Sequence, residues 1–96
     1  MNDQRIAVEL SPVPRGAKVH VSYNGLLPQA GADSCWLHYG FDGWKTPATI
    51  PMQREADNTF HTALTATGSR ELNFCFKDSA QNWDNNNGWN WSCPIY

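Results

Sequence analysis

Apolar residues in this chain alternate; they do not recur at helical spacing. Ile6, Val8 and Leu10 stand two residues apart, and Val19, Val21 and Tyr23 repeat the pattern. In an extended chain, residues two apart share one face. Cys35, Leu37 and Tyr39 therefore line one side of a strand, with Trp36 and His38 on the other. Thr49 to Gln53 reads as a short strand carrying Ile50 and Met52. Phe60, Thr62 and Leu64 form another, and Leu72, Phe74 and Phe76 alternate with Asn73, Cys75 and Lys77. A last run, Trp89 to Ile95, places Trp89 and Trp91 on one face, with at least one of them in the core. Breakers separate the runs: Pro12, Pro14, Gly16, Asn24-Gly25, Pro28, Gly31, Asp42-Gly43, Pro47, Pro51, Gly68 and Gly88. No window long enough for a sustained helix escapes them. The pattern predicts an all-β fold: a compact antiparallel β-sandwich, immunoglobulin-like, of about seven to eight short strands. It is expected to form a single domain over residues 1–96.

Composition narrows the possible functions. At 96 residues the chain is one domain's worth, and a domain of that size buries only about 60–65% of its unfolded surface. Little is left over for a deep cleft. Charged residues are 17% and the net charge is −2, so no basic face is available to track phosphates. No nucleic-acid partner is expected. Neither is a membrane partner, because no apolar run is long enough to span. Residues Met1 to Arg5 are polar, unlike the start of a secretory signal. The expectation is a cytoplasmic protein if the chain is complete, or a piece excised from a secreted one. Cys35, Cys75 and Cys93 are odd in number and fit no zinc spacing. Three reduced, buried thiols are expected, with a Cys75–Cys93 bridge as the alternative.

Catalytic signatures are missing. There is no phosphate-cradling glycine motif and no local nucleophile–histidine pattern. His20 and His61 fall on polar strand faces and read as solvated. Asp42, Asp78 and Asp84 qualify as acid–base carboxylates by location alone. After Asp84 the glycine comes one position too early for an EF-hand loop, although a calcium site of another kind stays open. Asn90-Trp91-Ser92 is formally a glycosylation sequon. No cofactor is implied.

Five Trp in so short a chain are the outlier. One of them, Trp83, lies in the polar stretch Asn82-Trp83-Asp84-Asn85-Asn86-Asn87-Gly88-Trp89-Asn90-Trp91. The Asn and Asp residues suit a turn, but a turn does not call for Trp at its tip. Exposed rings beside side-chain amides match a sugar, whose C–H faces are apolar and whose rim is hydroxyl. Amides donate and accept, so they meet hydroxyls in either sense.

Three ordered segments carry a family likeness: His38-Tyr39-Gly40 with Phe41-Asp42-Gly43-Trp44, then Asn73-Phe74-Cys75-Phe76-Lys77-Asp78, then Asn82-Trp83-Asp84-Asn85-Asn86. Together they resemble the starch-binding carbohydrate-binding modules of family 25. The W-D-N-N loop also occurs in families 21 and 53. The resemblance runs from about Val19 to Trp91, with Trp91 where that family has Tyr and an extra residue around Asn87. It implies a non-catalytic β-sandwich that binds α-1,4-glucans such as starch, glycogen or maltooligosaccharides, tethered to a glycoside hydrolase or another glucan-active enzyme. It also implies a sugar platform of His38, Trp44 and Trp83, with Asn85 and Asn86 beside the second ring.

On their own chemistry these positions keep a second reading. Trp44 follows a turn signal and Trp83 lies in a loop, so each could cap the end of the sandwich. Asp84 suits a turn anchor better than a sugar contact, although it stays among the candidate ligand residues. Trp36 is a further candidate, with edge-strand packing favoured. The alternative function is a protein-interaction or enzyme-regulatory sandwich using the Trp patch for docking, since Trp is enriched at interface hot spots.

Overall fold

The alternation read from the sequence is the alternation of burial in space. In strand β2 (Lys18–Tyr23), Val19, Val21 and Tyr23 are fully buried, while Lys18 and His20 are exposed. The structure, a computed structural model, describes residues 5–9 and 12–96. Leu10, assigned to the first run, lies outside them. The described strands are β1 (Ile6–Val8), β2, β3 (Cys35–Phe41), β4 (Lys45–Pro51), β5 (Gln53–Arg54), β6 (Phe60–Thr65), β7 (Glu71–Asp78), β8 (Trp83–Asp84) and β9 (Trp91–Pro94). A single helical turn, α1 (Leu26–Gln29), joins β2 to β3.

Two antiparallel sheets form a β-sandwich. One has the order β1-β2-β6-β5; the other runs β4-β3-β7-β8, with β9 also pairing with β7. β7 is the longest strand and the organiser of the second sheet. One of its edges pairs from Leu72 to Asp78 with β3. Its other edge is divided, with Glu71 to Phe74 pairing with β9 and Phe76 and Lys77 pairing with β8. Leu37, Leu72, Phe74 and Phe76 face Val19, Val21, Tyr23 and Phe60 across a shared core. Tyr23 stacks on Phe76 with ring centroids 3.8 Å apart, so one ring pair ties the two sheets together.

Several expectations are corrected. Thr49 to Gln53 is not one strand: β4 ends at Pro51, and β5 belongs to the other sheet. Pro51 has no N–H with which to extend a ladder. The Met52 N–H then bonds the Cys35 carbonyl at 3.0 Å, and the chain crosses the sandwich there. Proline at 47 and 51 is tolerated because β4 is an edge strand. β3 is not an edge strand, so Trp36 cannot be edge packing; it lies between β4 and β7.

The last strand begins at Trp91, not Trp89. Asn86, Asn87, Gly88 and Asn90 all have positive φ, which curls the chain away from the ladder until Trp91. Trp91 is core and stacks on Phe74, while Trp89 is 85% exposed. His61 is not simply solvated: it is half-buried and shares a 3.0 Å hydrogen bond with the Ser22 hydroxyl.

All three cysteines are buried, and none of them is in a disulfide. Cys93 lies opposite Leu72 on the core face of the sheet, whereas Cys75 lies opposite His38 on the outer face. Their side chains leave the sheet in opposite directions, which rules out the bridge. Burial pushes the Cys35 and Cys75 thiols up to about 11, leaving them protonated and unreactive at neutral pH.

Candidate functional site

Register builds the site. Residues directly opposite one another on paired strands point to the same face. On the outer face of the second sheet, Trp36 lies opposite Lys77, and Lys77 opposite Trp83. One row further on, Thr49, His38 and Cys75 are aligned. His38 in β3 and Trp83 in β8 thus reach one surface from strands flanking β7. Trp44 joins them from the β3–β4 turn.

The three rings are in contact. The His38 imidazole stacks on Trp44 with centroids 5.6 Å apart and planes inclined by 22°. It meets Trp83 edge-to-face at 5.5 Å and 83°. The two indole planes therefore differ by no less than the gap between those angles, about 61°. Trp83 is 44% exposed, and Trp44 and His38 are half-buried. Nδ1 of His38 and the Thr49 hydroxyl share a 2.8 Å hydrogen bond, which fixes the ring and leaves Nε2 without a protein partner among the described residues.

Trp44 is held in an uncommon conformation, with φ of 67°, after Asp42 and Gly43 at 52° and 85°. Such a backbone is strained for a bulky residue and persists only when its surroundings hold it. Two features do so. The Asn73 amide oxygen accepts from both Gly43 N and Trp44 N at 3.1 Å. Gly40 lets the turn fold back onto the strand: a Cβ there would stand 3.0 Å from Trp44 Cα. Asp42 anchors the same turn to the start of β7, accepting from the N–H groups of Ser69, Arg70 and Glu71.

Those donors, Ser69 first, hold the Asp42 carboxyl at about 2, below the usual carboxylate range. Asp78 is lowered too, first by the Asn82 side chain. A general acid needs the opposite shift, so neither carboxylate is tuned for acid catalysis. The linkage sign follows. A depressed folded-state pKa contributes stability that is present above the ordinary carboxylate range and is lost as pH falls through the folded value. The urea midpoint is therefore expected to hold level from pH 8 to 5 and to fall between about pH 4 and 2. Asp42→Asn should flatten that fall; an unchanged acid limb would show that the turn anchor contributes nothing.

The remaining candidates divide. Asn85 is exposed; its Oδ1 accepts from Gly88 N at 3.0 Å, and its amide N–H₂ has no partner among the described residues. Asn86 uses both ends of its amide, accepting from Arg5 at 2.8 Å and donating to the Asn90 carbonyl at 3.1 Å. Asp84 is 5% exposed. It accepts the Tyr23 hydroxyl at 2.5 Å, with Leu26 N and Asn86 N at 3.4 Å. Trp36 has the Lys77 ammonium 4.5 Å from its ring centroid. The sequence reading did not single out Asn73, Gly40 or Thr49 as supports of the rings. The first two stand in the quoted motif segments, which was the signal within reach.

Comparison with known proteins adds the family context. Residues 19–74 match the model of the starch/carbohydrate-binding module, family 53. Over 87 residues, 88% of the chain, the sequence is 36% identical to an alpha-amylase of Clostridium acetobutylicum. The match covers only 11% of that relative's length. No solved structure gives a significant match.

Proposed function

The chain belongs to the starch/carbohydrate-binding modules of family 53, which are non-catalytic, and on that premise we propose that it grips an α-1,4-glucan on His38, Trp44 and Trp83. The observation that carries this reading is the steep mutual inclination of the two indoles around one imidazole. Successive glucose units of an α-1,4-glucan are rotated along a helix, so rings set at an angle suit it. A straight β-1,4 chain calls for coplanar rings. Nε2 of His38 and the amide of Asn85 meet hydroxyls between and beside the stacked units. Asp84, Asn86 and Trp36 act as positioning residues in this proposal, because their polar atoms or ring faces are engaged by the protein itself. Residues 1–96 work as one binding module that tethers a glucan-active enzyme, of which the alpha-amylase relative is an instance, to starch, glycogen or maltooligosaccharide.

Two stacked rings and a few hydrogen bonds give micromolar to millimolar affinity once association costs are met. Such modules act through avidity or tethering. Calorimetric titration with maltoheptaose beside cellohexaose tests the reading. Binding of the α-glucan alone is expected. Silence toward both sugars from the folded protein would sink the platform and leave the Trp patch as a protein-docking surface. A second variant probes the support under Trp44. Gly40→Ala must push the turn away, so maltoheptaose affinity is expected to fall about tenfold while the melting temperature drops only a few degrees. Wild-type affinity in that variant would mean that Trp44 need not be held where it is.

A further inference from the structure

On the side of Trp83 next to α1 the surface opens into a cavity of about 380 Å³. That is within the range of small-molecule pockets. Its walls are Leu26, Leu27, Ala30 and Ala32, completed by Asn82 and by Trp83 itself. We propose that this cavity is a further glucose subsite, continuing the glucan path beyond the aromatic cluster; the proposal rests on the platform reading above.

Three observations carry it. First, the Trp83 indole belongs to both features, touching His38 and walling the cavity. A chain stacked on that ring has its next unit at the cavity mouth. Second, the lining has the two-sided character of a sugar. Four apolar side chains offer contact to C–H groups, and Asn82 supplies an amide at the rim. Its N–H₂ donates to Asp78, which leaves its Oδ1 to accept from a hydroxyl. Asp78 also lines the cavity, but its carboxylate is taken up by Asn82 and by Ala80 N. The cavity lining holds one carboxylate, already hydrogen-bonded, and no basic side chain, so it suits an uncharged ligand better than an anion.

Third, the wall is built into the fold. The single turn α1 is fastened at its start by Leu26 N on Asp84 and by Leu27 N on the Tyr23 hydroxyl at 3.2 Å. Leu26 is nevertheless 57% exposed. A large apolar side chain fixed in the open beside an aromatic ring gains by being covered.

The experiment compares wild type, Leu26→Ser and Ala30→Phe by calorimetry with maltose and maltoheptaose. Leu26→Ser removes an apolar wall, and Ala30→Phe fills the mouth from an exposed position. Both variants are expected to bind maltose, which spans only the two stacked rings, as the wild type does, which also reports that the fold and the ring cluster are intact. Both should lose about five- to tenfold in maltoheptaose affinity, the worth of burying one more sugar face. Unchanged maltoheptaose affinity in both variants overturns the subsite and leaves the platform standing. A folded wild type that binds neither sugar overturns the platform and the subsite together. If dodecanoate binds the wild type but not Ala30→Phe, with sugar affinities equal in the two, the cavity belongs to an acyl chain and the proposal fails.

Discussion

The double change Trp44→Ala, Trp83→Ala is expected to abolish measurable maltoheptaose binding while leaving a folded sandwich. Each ring stacked on a sugar removes about 40–60 Å² of apolar surface from water, worth roughly 1–1.5 kcal/mol. Losing two such contacts costs about 2–3 kcal/mol, a factor of roughly 30 to 150. For a module that starts in the micromolar to millimolar range, that loss puts binding beyond a calorimeter. The fold should survive because neither ring belongs to the shared core. Trp83 is nearly half exposed, and Trp44 sits in a turn whose backbone is held by Asn73. Each single change is expected to give part of the loss. A double variant that titrates like the wild type would remove both indoles from the glucan contact.

Asp84→Ala is expected to be the most destabilising single change in the stretch from Asn82 to Asn90 that carries Trp83. The carboxylate is buried and receives the hydroxyl of Tyr23, itself fully buried between the sheets. Removing it strands that hydroxyl and frees Leu26 N and Asn86 N at once. Breaking a buried network that includes a charge costs about 2–4 kcal/mol. For a domain of this size that is a melting temperature lower by roughly 10–20 °C. Tyr23→Phe is the informative companion. It keeps the stack on Phe76 and leaves the carboxylate its two backbone donors. Its cost should be about 1–2 kcal/mol, with maltoheptaose binding retained. A melting point within 2 °C of wild type for Asp84→Ala would mean that β8 is not anchored through this carboxylate.

These two variants separate the contact surface from its foundation. Trp83 and Asp84 are adjacent in β8, and alternation sends one outward and the other into the core. Phe76, opposite Asp84, stacks on Tyr23, so the ring that joins the two sheets also fixes the strand that presents Trp83. The site is rigid because it is wired into the core within one residue of its exposed ring.

Period-two alternation was enough to place β2, β3, β6 and β7 and the faces of Val19, Val21, Leu37, Phe74 and Phe76, because burial on a strand is decided by parity. The ordered segments around His38, Trp44 and Trp83 were enough to point to a starch-type module; the family match, over residues 19–74, takes in the segment of His38 and Trp44 and ends before that of Trp83. Asn85 and Asp84 could be named, and Asp84 suited a turn anchor better than a sugar contact. Only their partners show that one amide is open and the other carboxylate is committed. Local pattern also failed where one residue changes the direction of the chain. Pro51 and Met52 move it between sheets, and the left-handed residues from Asn86 to Asn90 postpone the last strand to Trp91. The meeting of His38, Trp44 and Trp83, their angles and the cavity behind Trp83 were decided by tertiary structure alone. They depend on β3 and β8 lying on opposite edges of β7, a pairing between residues far apart in the chain that no run of neighbours encodes.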